Sequence, residues 1–106
     1  MTTGEERLER IRRIAESDPD DPRPRYFLAQ ELVRAERWAE AADAYRAYHD
    51  LGPDDEGVGW RNLGTCLLRM GDPDGAEAMY RRGVDAALAH HHEDLASEIE
   101  ELLEEL

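Results

Sequence analysis

Lysine is absent from the sequence, so arginine supplies all 13 basic side chains, and these face 26 acidic ones. The formal net charge is therefore −13. Nucleic acids and anionic lipid surfaces are polyanions, which a protein of this charge repels at long range. We expect neither nucleic acid nor a membrane as a partner.

Cysteine and long apolar runs are nearly missing as well. The single cysteine, Cys66, excludes an internal disulfide, and no histidine stands at a helical spacing that would activate it, so we interpret it as a small core side chain. No run approaches the ~18 apolar residues that a membrane span needs, and residues 1–6 lack the basic and apolar regions of a secretory signal. We therefore expect a cytoplasmic protein.

Motifs of the common enzyme classes are also lacking. There is no nucleophile elbow, no phosphate-binding loop, no pair of catalytic carboxylates and no zinc-binding spacing in the sequence. His90, His91 and His92 are adjacent, and adjacent residues of a helix do not share a face as metal ligands must. We interpret the triplet as a solvated linker between helices. The sequence thus predicts no enzyme, no cofactor and no metal site.

What the sequence does contain is an internal repeat. Hydrophobic residues make up 41% of its 106 residues, enough for the core of a single domain over 1–106. When the chain is shifted by 35 residues, identical residues coincide along one window, which is typical of stacked structural units. The coinciding pairs are Leu28/Leu63, Leu32/Leu67, Arg34/Arg69, Ala41/Ala76, Tyr45/Tyr80, Arg46/Arg81 and Asp50/Asp85.

Apolar spacing within the repeat indicates helices. Leu28, Ala29 and Leu32 stand at i, i+1 and i+4, and the same stripe recurs one repeat later. Asp-Pro at 21–22 and 72–73 is typical of a helix start, and the glycines at 52 and 71 are typical of helix ends. No segment alternates with the period of a strand. These signals predict six helices over 4–17, 22–35, 38–51, 56–70, 73–89 and 93–105.

Both copies of the unit resemble the tetratricopeptide repeat. The motifs are Trp60-x-x-Leu63-Gly64-x-x-Leu67 with Ala76-x-x-x-Tyr80, and Leu28-Ala29-x-x-Leu32 with Ala41-x-x-x-Tyr45. The small residues Gly64 and Ala76 predict that two helices cross closely there. The first copy departs from the pattern at Arg25, where a large apolar residue is usual, and Tyr26 is the candidate to take that role.

The resemblance implies an all-α fold, a right-handed α-solenoid of antiparallel helix hairpins with about six helices. It implies a leading helix at 4–17, a first repeat at 22–55, a second repeat at 56–89 and a capping helix at 93–105. It also implies a non-catalytic adaptor or scaffold, which holds another protein or a peptide in a concave groove lined by helices 22–35 and 56–70.

Residues off the apolar stripes would line that groove. They are Arg23, Phe27, Gln30, Arg34, Arg61, Asn62, Thr65 and Arg69. Arginine and amide side chains donate hydrogen bonds to carboxylates and peptide carbonyls, so we expect a partner peptide with acidic groups or a free C-terminal carboxylate. Tyr26 stands where relatives that clamp such carboxylates carry lysine, which argues against that particular clamp.

Two alternatives stay open. When the last helix is aligned with the repeat, Glu100 and Glu104 fall near Thr65 and Arg69, so internal carboxylates could pair with the arginines while a partner uses another face. The chain could instead be a structural self-association module, a homodimer formed through the last helix. The apolar stripe of that helix is Leu95, Ile99, Leu102, Leu103 and Leu106.

Overall fold

Six α-helices in the predicted order make up the computed structural model, which describes residues 3–106. They are α1 (Gly4–Ser17), α2 (Pro22–Arg34), α3 (Trp38–Asp50), α4 (Val58–Arg69), α5 (Pro73–Ala89) and α6 (Glu93–Glu104). No β-strand occurs among the described residues. The chain forms two compact units, one ending at Pro53 with α1 to α3, and one spanning Asp54–Leu106 with α4 to α6.

Side chains at the predicted start signals cap three of these helices. The Thr3 hydroxyl accepts a backbone N–H bond at 3.1 Å at the start of α1. The Asp21 carboxylate accepts from the N–H of Arg23 at 3.0 Å, and that of Asp72 accepts from the N–H of Gly75 at 2.9 Å. The first N–H groups of a helix have no partner within the helix, so these side chains stabilise the starts of α1, α2 and α5.

The start of α4 corrects the sequence analysis, because the helix begins at Val58 and not at residue 56. Gly57 has a φ of 126°, which no helix contains. The Asp55 carboxylate accepts hydrogen bonds from the N–H groups of Gly57 and Gly59 at 3.0 to 3.2 Å. The acidic run therefore caps the helix from outside instead of forming its first turn. Every other boundary agrees with the prediction to within one residue.

In the first unit, α2 packs against both α1 and α3. Ala29 and Leu32 of α2 and Tyr45 of α3 are buried. Tyr26 packs against two aromatic rings of α3, with its ring centroid 5.9 Å from that of Tyr45 and 5.1 Å from that of Tyr48, and it does not take the place of the large residue missing at position 25. Aromatic pairs at these distances contribute packing beyond the area that they bury.

Ion pairs between helices accompany this packing in the first unit. Glu31 of α2 has a side chain only 11% exposed, and it accepts hydrogen bonds from Arg7 of α1 and from a neighbouring arginine of α2, both at 3.2 Å. Glu40 of α3 accepts from Arg37 at 2.8 Å and also from Arg12 of α1. Helix α1 is therefore bonded through charged side chains to both of the helices that follow it.

In the second unit, α5 packs against both α4 and α6, and glycines set the closest approaches. A Cβ atom added to Gly64 would lie 2.6 Å from the ring of Tyr80 and 3.2 Å from the carbonyl oxygen of Ala76. The close crossing predicted from Gly64 and Ala76 is thus confirmed. A Cβ on Gly57 would lie 2.9 Å from the carbonyl oxygen of Gly83, so the residue before α4 lies directly against α5.

Candidate peptide-binding faces

Helix α2 presents its predicted residues to solvent. Arg23, Phe27, Gln30 and Arg34 are all exposed, whereas the apolar stripe of the same helix is buried at positions 29 and 32. Phe27, the single phenylalanine of the chain, is 45% exposed. An aromatic ring flanked by polar donors has the composition of an interaction patch. We call these four residues the α2 face.

Both arginines of the α2 face bond to carboxylates of their own helix or its cap. Arg23 donates to the two carboxylate oxygens of Asp21 at 3.0 and 2.7 Å. Its side-chain hydrogen bonds lower the pKa of Asp21 from 3.8 to about 2, and the pKa of Arg23 is raised in return. Arg34 donates to Glu31 at 3.2 Å. Both guanidinium groups are largely exposed, so a ligand carboxylate can reach either of them and compete with its present partner.

Helix α4 holds its predicted residues in a tighter arrangement. Arg61 is half-buried and donates to Glu98 of α6 at 3.1 Å and to the side-chain oxygen of Asn62 at 3.3 Å. The Thr65 hydroxyl lies 2.9 Å from the hydroxyl of Tyr80 on α5. Bonds to α5 and α6 therefore preorganise this part of α4, and the hydroxyl of Thr65 is engaged within its own hairpin.

Arg23, Arg34 and Arg61 each have a carboxylate partner in their own unit. The partner that α6 supplies to Arg61 is Glu98, a carboxylate that the repeat alignment did not indicate, since it placed Glu100 and Glu104 near Thr65 and Arg69. The fourth arginine, Arg69, is exposed at the end of α4. Because the charges are compensated locally, the exposed ring of Phe27 is the feature of these faces that most favours a ligand.

The histidine triplet forms a cluster that sequence reasoning missed. The Nε2 atom of His90 lies 2.9 Å from a carboxylate oxygen of Asp54, and that of His92 lies 3.1 Å from one of Glu56. The two rings stack with centroids 6.4 Å apart. These contacts fasten the segment before α4 to the turn between α5 and α6. His90 is half-buried, whereas His91 and His92 are exposed, so the triplet is a solvated connection between α5 and α6 that also makes these two carboxylate contacts.

The apolar stripe of α6 is largely covered within its own unit. Ile99 is fully buried, Leu102 and Leu103 are half-buried, and Leu106 is 45% exposed. Because α6 packs against α5, most of the stripe contributes to the core of the second unit. This is the arrangement expected of a helix that caps a repeat.

Cys66 is buried, and burial raises the pKa of its thiol to about 11. A thiol with so high a pKa is a poor nucleophile at neutral pH, which fits a packing role. Within residues 3–106, no three His, Cys, Asp or Glu side chains are grouped so that they could hold a metal ion. None of the helices in the described part of the chain has the length and apolar character needed to cross a membrane.

Comparison with known proteins bears on the fold. No family model matches the chain, and none of the curated proteins compared with it does. Among solved structures, the chain is similar to PcrH in a crystal structure of PcrH in complex with the chaperone binding region of PopD. The TM-score is 0.84 at 22% sequence identity, over 95% of this chain and 76% of the PcrH chain. The all-α tetratricopeptide-repeat fold is confirmed.

Proposed function

We propose that this protein is a non-catalytic binding module that holds a segment of another polypeptide, as an adaptor or chaperone does. The observation that carries the proposal is the likeness of its fold to PcrH, whose structure contains the chaperone binding region of PopD. Repeats of helical hairpins present extended surfaces, which suit a polypeptide ligand.

The α2 face is the proposed centre of binding. Phe27 offers an exposed aromatic anchor, and burying an aromatic ring is a frequent source of interface affinity. Gln30 and Arg34, which follow it at helical spacing, can donate to the carbonyl or carboxylate groups of a bound segment. The ligand chemistry that fits is an apolar side chain followed by acidic groups.

Helix α4 contributes the second proposed surface, through Arg61, Asn62 and Arg69. Arg61 is already oriented by Glu98 and Asn62, so it can present a guanidinium edge to a ligand with little loss of side-chain entropy. A ligand carboxylate would have to compete with Glu98 there, so we expect α4 to contribute less affinity than α2.

The proposal is tested with a fluorescein-labelled synthetic peptide that alternates leucine with aspartate and ends in a free carboxylate. Fluorescence anisotropy should detect binding, and the double change Phe27→Ala with Arg34→Glu should weaken it at least tenfold, a loss of about 1.4 kcal/mol. Arg46→Glu is the matched control, because it makes the same charge change at an exposed arginine of α3.

A peptide with lysine in place of aspartate separates the contribution of charge from that of the apolar side chains. We expect it to bind more weakly than the acidic peptide, and the difference to shrink as salt is added. Equal losses of affinity in the double variant and in Arg46→Glu would count against the α2 face as the binding site.

Self-association through α6 is the second candidate function, and the exposed end of the helix favours it. Leu106 is 45% exposed beside the half-buried Leu102 and Leu103. If this end forms a homodimer, light scattering across a concentration range will show twice the monomer mass, and Leu106→Asp will restore the monomer. A constant monomer mass would remove this candidate and leave the peptide-binding proposal untouched.

A further inference from the structure

An open cleft of about 310 Å³ lies in the first unit, among α1, α2 and α3. Its apolar lining consists of Ala15, Leu28, Leu32, Ala44 and Ala47. Charged side chains form the rest of its wall, among them Arg25 and Asp43. The cleft uses a different side of α2 from Phe27, so it is separate from the α2 face.

The internal repeat shows what kind of group this cleft fits. One repeat later, Arg25 corresponds to Trp60 and Ala47 corresponds to Arg82. In the second unit the guanidinium carbon of Arg82 lies 5.0 Å from the centroid of the Trp60 ring. The second unit therefore fills this position of the repeat with an indole, whereas the first unit has an arginine and small side chains around an open space.

Arg25 adds a charge that suits an aromatic ring. It is half-buried in the wall of the cleft, and its guanidinium group forms no hydrogen bond or ion pair with any residue from 3 to 106. A guanidinium group without a carboxylate partner is attracted to the negative face of an aromatic ring. The carboxylate of Asp43 on the same wall is an acceptor for the N–H of an indole.

We propose that the cleft of the first unit binds a tryptophan side chain of a partner polypeptide. The indole would occupy the position that Trp60 occupies in the second unit, with its face toward Arg25 and its edge against Leu28 and Ala47. This site does not depend on the proposed function of the α2 face, and either of the two can be present without the other.

The test ligand is N-acetyl-tryptophanamide, which carries a tryptophan side chain without the rest of a partner polypeptide. It is titrated into the uniformly ¹⁵N-labelled full chain. A ligand of this size that buries one ring in an open cleft should bind with a dissociation constant of about 1 mM or weaker. We expect the backbone amide signals of Leu28, Ala44 and Ala47 to shift as the probe is added. N-acetyl-alaninamide, which lacks the ring, should leave them in place.

Three variants locate the probe. Arg25→Trp closes the cleft with an indole of the chain itself and should weaken binding at least tenfold. Arg10→Trp places the same side chain on an exposed position of α1 that does not line the cleft, and binding should persist. Arg25→Ala keeps the cleft but removes the cation, so binding should weaken by about two- to fivefold.

If Arg25→Trp does not fold, Ala47→Met narrows the same cleft from α3 and must give the same loss of binding. The proposal is overturned by equal shifts with the two probes, by shifts confined to other helices, or by undiminished binding in the variant that closes the cleft. Shifts of the cleft signals on dilution without probe would also overturn it, since a second copy of the chain would then be the occupant. Peptide binding at Phe27 should be unchanged by Arg25→Trp, which distinguishes failure at this site from failure of the proposed function.

Discussion

The two units share one repeat but hold their helices together differently. In the first unit, Glu31 and Glu40 each bond to two arginines, and these bonds join α1, α2 and α3. One repeat later these positions are Cys66 and Gly75, which cannot form such pairs. The second unit joins α4 to α6 through Arg61 and Glu98, and the closest approaches of its helices are at glycines.

This difference determines what can disturb each unit. Ion pairs weaken when salt screens them or acid protonates the carboxylates, but they tolerate small displacements of the helices. Close contacts are insensitive to salt, but they do not tolerate added atoms. We therefore expect changes of solvent to affect the first unit most, and added side-chain volume to affect the second.

The largest effect is expected at the entrance to α4. In Gly57→Ala, a φ of 126° strains the new side chain and its Cβ lies 2.9 Å from the Gly83 carbonyl oxygen, so the free energy of unfolding should fall by about 3 kcal/mol. Gly52→Ala, in the first unit, has a φ of 72° and no atom within 4 Å of its Cβ, so it should cost only about 1 kcal/mol. Urea unfolding followed by circular dichroism measures both. If the two variants lost the same free energy of unfolding, the contact between the new Cβ of residue 57 and the Gly83 carbonyl oxygen would have relaxed without cost.

A smaller effect is expected at the helix crossing. Alanine usually stabilises a helix relative to glycine by about 1 kcal/mol, but Gly64→Ala should destabilise the protein by about 1 to 2 kcal/mol because of the ring of Tyr80 2.6 Å away. Gly4→Ala in α1 meets nothing within 4 Å and should be neutral or slightly stabilising. Thermal unfolding of the two variants compares them, and a higher melting temperature for Gly64→Ala would contradict the crossing geometry.

The ion pairs of the first unit should contribute less than these contacts. Glu31→Gln removes the charge that two arginines share and should lower the free energy of unfolding by about 1 kcal/mol. Glu77→Gln removes an exposed pair within α5 and should cost at most about 0.5 kcal/mol. Hydrogen exchange of the α1 amides should speed up only in Glu31→Gln. The effect should diminish at high salt, and a salt-independent loss would point to packing instead of charge.

The smallest effect concerns acid. The pKa of Asp21 is lowered from 3.8 to about 2 by Arg23, and that of Glu40 is lowered by hydrogen bonds from Arg37 and then Arg12. A lowered pKa contributes stability that is present above the ordinary value and lost as the pH falls through the lowered one. We therefore expect the stability of the first unit to decline between the ordinary carboxyl range and about pH 2.

Asp21→Asn isolates part of this decline, because asparagine also caps a helix but does not titrate. Urea midpoints measured across the acid range should depend less on pH in the variant than in the parent chain. The same dependence in both would show that the Asp21–Arg23 pair does not contribute.

Local signals in the sequence accounted for the elements and the central crossing. Asp-Pro pairs and glycines marked the helix ends, and Gly64 with Ala76 indicated the close contact that the structure shows. These features depend on residues a few positions apart in the sequence, or on a motif that occurs twice in it. The start of α4 was misplaced because Asp55 caps the helix across Gly57, and an acidic run alone does not distinguish a cap from a first turn.

Long-range partners could not be derived in the same way. The partners of His90 and His92 stand 36 positions earlier in the chain, and no spacing rule links them. The sequence could place Arg61 off the apolar stripe of α4, but the pairing of Arg61 with Glu98 depends on how α6 packs against α5. The ligand chemistry proposed for the α2 face rests on residue types alone, whereas the cleft near Arg25 required the three helices in space.

Because Cys66 is buried, the rate at which its thiol is labelled can report local opening of the protein. Because the single thiol of the chain is buried in α4 and has a pKa of about 11, a thiol-specific dye can react with it only after that helix has opened. The labelling rate would therefore count openings of the second unit alone, with no engineered reporter. Comparing that rate with and without a bound peptide would show whether a ligand slows this opening.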